Sequence, residues 1–183
     1  MNTRVDNDGD RLSAIRAHIR DVQDFPTPGI LFKDITPLLR HAEAFALAVE
    51  GFSALASTCD LIAGVEARGF IFGSAIASKL GKGFVPIRKS GKLPAASYSE
   101  SYSLEYGENV LQIHQDAVKN GERVMLIDDV LATGGTLGAA AKLIERCGGS
   151  VESIAVLMEI DGLGGHENFA KLFPHLTIQT LLK

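Results

Sequence analysis

Apolar residues recur along this chain first at helical and then at strand spacing. Leu12, Ile15, Ile19 and Val22 stand three or four positions apart, which predicts an amphipathic helix over residues 10–24. Phe25, Pro26, Thr27, Pro28 and Gly29 end it, because two prolines and a glycine exclude a regular ladder. A helix is predicted near 41–57, a short buried strand over 61–65, and a crossover helix over 69–80 whose small residues permit close packing. A strand over 84–88 follows. Residues 89–109 carry no strong periodicity and read as a long loop, and a loop of that length in a compact domain is uncommon unless functional. Residues 110–113 alternate with polar neighbours and suggest an antiparallel excursion. Val124, Met125, Leu126 and Ile127 form a buried strand. Leu137, Ala140, Ala141 and Ile144 mark one face of the next helix, which closes at Gly148 and Gly149. Strands over 154–160 and 176–182 flank a short helix at 166–172. Strands alternating with helices predict an α/β fold with a mostly parallel central sheet covered on both faces.

Composition narrows the class. A chain of 183 residues suits one domain with a full core, here taken as 1–183 with residues 1–10 polar and frayed. The net charge of −4 argues against a nucleic-acid partner, which would ordinarily meet a basic excess. No apolar run approaches the roughly 18 residues of a membrane span, and the first residues lack the apolar core of a secretory signal. A cytoplasmic protein with no membrane partner is expected. Cys59 and Cys147 form no CxxC pair and read as small packed residues. The histidines lack metal-ligand spacing.

The chemistry concentrates in residues 124–136, VMLIDDVLATGGT. A buried strand runs into Asp128 and Asp129; after a short spacer, Ala132, Thr133, Gly134, Gly135 and Thr136 lead into a helix. Free backbone N–H groups and the positive end of a helix dipole then point at one spot, which suits a phosphate. Adjacent acids suit the hydroxyls of an attached sugar. The turn is not a Walker loop, since no lysine follows its last glycine. The alternative is an ordinary strand-to-helix turn.

Ligands of open parallel sheets gather at the carboxyl ends of the strands. Glu66 and Arg68 follow one predicted strand, Arg88 and Lys89 end another, and Asp128 and Asp129 end a third, so all should meet at one sheet edge. Arg68 suits a diphosphate or a surface salt bridge. Arg88, Lys89 and Lys92 form either a solvated charge run or a basic loop closing over a leaving diphosphate. Tyr98, Tyr102 and Tyr106 stand four residues apart, which fits both a short amphipathic helix and a lid with covering rings.

The 124–136 segment resembles the signature of the type I phosphoribosyltransferases. Four blocks are similar to the adenine phosphoribosyltransferases in particular: FPTPGILFKDITP at 25–37, EARGF at 66–70, IRKSGKLP at 87–94 and SYSLEYG at 101–107. The resemblance implies the fold of that family, with a small N-terminal hood at 25–37 and a flexible catalytic loop at 89–109. It implies a pentosyltransferase of purine salvage that carries the 5-phosphoribosyl group from 5-phospho-α-D-ribose 1-diphosphate to N9 of adenine, giving AMP and diphosphate. A phosphoribosyltransferase for hypoxanthine, xanthine or orotate, or a non-catalytic regulator with the same sugar-phosphate site, are the alternatives.

By position, the resemblance assigns adenine to Leu31, Phe32 and Lys33, and diphosphate to Arg68, Arg88, Lys89 and Tyr106. The phosphate falls to Ala132, Thr133, Gly134, Gly135 and Thr136, and catalysis to Glu105, Asp128 and Asp129. Members often carry Arg where this chain has Lys33, and a Lys cannot reproduce a planar guanidinium contact. A non-proline cis bond is implied between Glu66 and Ala67. Magnesium is the implied cofactor, held through substrate and water, with Asp128 as the candidate protein contact. A homodimer is implied.

Overall fold

Two stretches with different architectures follow one another along the chain. The computed structural model describes residues 8–103 and 108–182. The contacts of these residues gather into two units, the first up to Gly51 together with Leu182 and the second from Phe52 to Leu181.

In the first unit α1 (Asp8–Arg16) precedes a two-stranded ribbon of β1 (Arg20–Val22) and β2 (Phe32–Asp34). The helix expected over 10–24 therefore stops at Arg16. Ile19 and Val22 keep helical spacing, but residues 20–22 find a non-local partner instead: Arg20 pairs with Asp34, Asp21 with Lys33 and Val22 with Phe32 in antiparallel register. Two cross-strand ion pairs, Arg20–Asp34 at 2.5 Å and Lys33–Asp21 at 2.8 Å, favour that pairing. The connecting turn carries a cis Phe25–Pro26 bond and places Asp24 at a positive φ of 56°. Its Asp24 carboxylate accepts the Gly29 N–H at 2.7 Å. The helix predicted near 41–57 is found as α3 (Ala42–Ala54), and it is preceded by a short α2 (Thr36–Arg40), with Pro37 in its first turn, that the sequence reading did not include.

The second unit is built on a seven-stranded sheet of order β5-β6-β4-β3-β7-β8-β9. Its strands are β3 (Leu61–Val65), β4 (Gly83–Lys89), β5 (Ser97–Ser103), β6 (Glu108–His114), β7 (Arg123–Leu131), β8 (Ser150–Glu159) and β9 (Ile178–Leu182). The β3–β4, β3–β7 and β7–β8 pairs are parallel, and β6 runs antiparallel to both β4 and β5. The crossovers are α4 (Arg68–Leu80) after β3 and α5 (Gly135–Arg146) after β7, with α6 (Gly165–Leu172) between β8 and β9. Val124 and Leu126 join a buried cluster with Leu137, Ala140, Ala141 and Ile144 of α5. The Ile127 side chain lies against α4 at Gly73. Alternate residues of β7 thus feed different layers, the signature of a sheet covered on both faces. The mostly parallel α/β architecture read from the sequence is the one found. Among the described residues no helix is long and apolar enough to cross a membrane.

The stretch 89–109 departs from a loop. Residues 97–103 and 108–114 pair as antiparallel strands, from Ser97 opposite His114 to Ser103 opposite Glu108. The sequence SYSESYS alternates with period two, and its four-residue tyrosine spacing is two strand periods rather than one helical turn. Tyr98 and Tyr102 accordingly pack on the core cluster. Tyr98 also lies under the Arg146 guanidinium, 4.6 Å from the ring centre. Neither ring is a lid. Residues 104–107, with Glu105 and Tyr106, lie outside the described residues.

Gly69 sets how closely α4 lies on the sheet. A Cβ there would stand 2.8 Å from the Ile127 carbonyl oxygen, a backbone atom that cannot swing aside. Gly69→Ala is expected to cost about 1–3 kcal/mol, the usual range for overpacking. It should appear as a lower denaturation midpoint at unchanged slope.

Candidate active site

The parallel register brings three strand ends together. Val65 stands opposite Ile87, and Gly64 opposite Ile127. The residues just beyond (Glu66 and Arg68, Arg88 and Lys89, Asp128 and Asp129) therefore share one edge of the sheet, as the order of strands and helices in the sequence predicted. The Glu66–Ala67 peptide bond is cis, as the resemblance implied.

Arg68 opens α4, and its Nε stands 2.9 Å from Asp129 Oδ2. Asp129 is 3 % exposed, and that oxygen has no donor aligned for a hydrogen bond. The contact is thus a close ion pair that leaves lone-pair capacity unused. Asp128 is half-buried, and its Oδ1 accepts the Asp129 N–H at 2.9 Å. The same Oδ1 would stand 3.1 Å from a Cβ at Gly69. Both acids therefore lie against the first turn of α4. Side chains of neighbouring strand residues ordinarily diverge, and the ladder to β8 continues past both acids, to Leu131 opposite Glu159.

Burial pushes the carboxyls of Asp128 and Asp129 above the ordinary range; the Asp129 charge adds to the shift at Asp128, and the Arg68 guanidinium opposes it at both.

The phosphate-type turn is braced from behind. Gly134 caps α5 in a left-handed conformation, φ 85°. A Cβ there would meet the Gly165 carbonyl oxygen at 2.7 Å. Only glycine satisfies both demands. The Asn168 side-chain amide of α6 donates to the Thr133 carbonyl at 3.3 Å. Ala132, Thr133, Gly134, Gly135 and Thr136 thus run from the end of β7 into the first turn of α5, with α6 holding their shape.

The basic residues are arranged differently from the sequence reading. Arg88 and Lys92 both reach Glu66 Oε1, at 3.2 and 2.9 Å, and the Lys89 N–H donates to Glu66 Oε2 at 3.0 Å. The Glu66 side chain is 9 % exposed. Burial would raise its pKa, but Lys92, Arg88 and the Lys89 amide outweigh burial and lower it to about 2. Sequence reading missed the Glu66 side chain. The EARGF block drew attention to its arginine, and nothing in the sequence shows a carboxylate meeting cations more than twenty positions away. Lys89 itself is exposed.

In the first unit Leu31 is exposed. Phe32 is half-buried, its ring packed edge-on to Phe25 with centres 5.1 Å apart. The Lys33 ammonium pairs with Asp21 across the ribbon. Among the described residues no group of three or more His, Cys, Asp or Glu side chains gathers as a metal cage.

A glycine turn at a helix N-terminus beside a strand-end acid pair, on a mostly parallel sheet, places the molecule among α/β proteins that bind ligands at strand ends. Residues 38–173 match the phosphoribosyl transferase domain. The adenine phosphoribosyltransferase of Thermobifida fusca is 52% identical over 158 residues, covering 85% of this chain and 90% of that protein. The crystal structure of adenine phosphoribosyltransferase from Thermoanaerobacter pseudethanolicus superposes with a TM-score of 0.86 at 49% identity, over 93% of this chain and 98% of that one. A Saccharomyces cerevisiae adenine phosphoribosyltransferase, solved with an imino-altritol bisphosphate and adenine, gives 0.88 at 33% identity, over 95% and 99% of the two chains. The chain belongs to the phosphoribosyl transferase family, among the adenine phosphoribosyltransferases.

The acid pair makes a pH prediction. A carboxyl whose pKa is raised on folding binds its proton more tightly folded than unfolded. Its contribution to stability therefore falls as pH rises through the unfolded aspartate value, about 4, and levels off above the folded value. Arg68→Gln removes the opposing cation and should raise both carboxyl midpoints further in an NMR titration of the unliganded protein. Its loss of stability should be larger at about pH 7 than at about pH 4, where the acids are protonated.

Proposed function

We propose that this chain transfers the 5-phosphoribosyl group of 5-phospho-α-D-ribose 1-diphosphate to N9 of adenine, giving AMP and diphosphate. The observation that carries the reading is the meeting of Asp128, Asp129 and Arg68 at the sheet edge where β7 leads into the Thr133–Thr136 turn. The kinship with adenine phosphoribosyltransferases supports the choice of base.

In this reading the amides of Gly134, Gly135 and Thr136, with the Thr133 and Thr136 hydroxyls, hold the 5-phosphate and fix the sugar in place. Asp128 and Asp129 take the ribose hydroxyls. As the C1–O bond breaks, positive charge builds on the ring, and two fixed carboxylates favour it electrostatically. The bond from N9 to C1 then forms, and the purine proton passes to Glu105. Arg68, Arg88, Lys89 and Tyr106 take the departing diphosphate. Leu31, Phe32 and backbone groups at Lys33 hold adenine, and the Lys33 side chain braces the ribbon through Asp21.

The acid pair also fits magnesium, because it offers hard oxygens and the half-buried Asp128, which is not the acid that Arg68 pairs with, is the candidate protein contact. When bound, that ion would offset negative charge on the diphosphate. The chain is proposed to act as a homodimer in the cytoplasm.

Mixing the protein with adenine, the sugar diphosphate and magnesium should release diphosphate and AMP. Hypoxanthine, xanthine and orotate should not compete; a strong preference for any of them would replace adenine as substrate. Glu105→Gln is expected to lower turnover by about 10²–10⁴-fold, the usual worth of a general base, with binding of the sugar diphosphate nearly intact. Unchanged steady-state turnover would remove Glu105 from the reaction. Asp128→Asn combined with Asp129→Asn should lower turnover far more than Lys33→Ala does, when AMP formation is followed by chromatography.

A further inference from the structure

Glu66 immediately follows β3 at this sheet edge and has no role in the reaction as proposed. Its carboxylate nevertheless gathers more donors than any other acid at this edge. Arg88 Nη2 and Lys92 Nζ share Oε1, and the Lys89 N–H takes Oε2. Arg88 Nη1 in turn donates to the Lys92 carbonyl at 3.0 Å, closing a ring from β3 through β4 to residue 92. The next turn is pinned from its far side, since Gln112 Oε1 accepts the Gly91 N–H at 2.8 Å and Gln112 Nε2 donates to Ser99 Oγ at 3.0 Å. Arg88 Nε is buried and lacks an acceptor among the described residues. An unmet donor of this kind calls for an explanation.

Two cations held on one oxygen would repel each other without the charge between them. The Glu66 carboxylate, its side chain 9 % exposed, removes that repulsion and sets the direction of both side chains. We infer that Glu66 is a positioning residue for the diphosphate leaving group, holding Arg88, Lys92 and the Lys89 amide together as a preformed cationic cradle at the start of the 89–97 segment. The inference rests on the transferase reading above and extends it to a side chain that touches no substrate. Preorganised donors lower the cost of binding because less side-chain freedom is lost when the anion arrives. The two positive charges exceed the single negative one, so the cradle keeps a net attraction for a dianion or a more highly charged group.

The test uses the full chain and inorganic diphosphate with magnesium, titrated calorimetrically, beside steady-state kinetics. Glu66→Gln keeps the shape and removes the charge. Diphosphate should bind about tenfold more weakly, as expected for loss of charged hydrogen bonds. KM for the sugar diphosphate should rise in parallel, while KM for adenine stays within about twofold. Lys92→Met should weaken diphosphate binding in the parent but much less in the Glu66→Gln background, because the two act as one unit. Glu66→Asp should recover part of the loss.

Tighter diphosphate binding by Glu66→Gln would show a competing anion and overturn the inference. A lowered melting temperature with unchanged diphosphate affinity would show a merely structural acid and overturn it equally. The transferase reading fails separately, if the parent protein yields no AMP; calorimetry of diphosphate still reads the cradle in that case.

Discussion

The near-contact between the first turn of α4 and the carboxyl ends of β3 and β7 governs the geometry of everything at the sheet edge. Gly69 lets the helix start against the Ile127 carbonyl. At that distance the residue before it, Arg68, falls on Asp129, and Asp128 lies beside Gly69 itself. A helix displaced outward by the thickness of a methyl group would part the guanidinium from the acid. Desolvation of the acid pair would weaken with it, since the same turn covers Asp128. The electrostatics of the site thus follow from a packing distance.

Two arrangements around this contact offset charge in opposite ways. At Asp129, one cation meets two adjacent acids, and the surplus is negative. At Glu66, two cations and a backbone amide meet one acid, and the surplus is positive. The pKa directions differ as well: burial drives the aspartates up, whereas at Glu66 the two cations and the Lys89 amide outweigh burial and bring the carboxyl down. A donor with a developing positive charge and a leaving group with negative charge would each find a complementary neighbour. The edge thus carries surplus negative charge at the aspartates and surplus positive charge beside Glu66.

Rigidity comes from the periphery. The phosphate-type turn is backed by α6 through the close approach of Gly134 to Gly165 and the Asn168–Thr133 hydrogen bond. The β5–β6 hairpin is held against α5 by the Lys142–Glu100 ion pair at 2.9 Å and by the Arg146–Tyr98 stacking. One helix therefore bears on both the turn at its N-terminus and the hairpin along its side. These contacts lie far apart in sequence and support a site built from loops on rigid elements.

The chain's own sequence determined the parts governed by local order. Apolar runs gave β3, β4 and β7 within a residue or two at their starts, the glycines and hydroxyls fixed the turn before α5, and the alternation of strands and helices put the acids and basic residues at one edge. Pattern was misread where two periods coincide, as with the tyrosines of β5, or where a local helical tendency lost to a distant partner, as at residues 20–22. Tertiary structure alone decided which charges meet. That Glu66 gathers Arg88 and Lys92, that Arg68 takes Asp129, and that Lys33 turns to Asp21 depend on distances across the fold. Hydrogen bonds form only within a few ångströms and screened charges act over about 10 Å, and sequence separation carries no information on that scale.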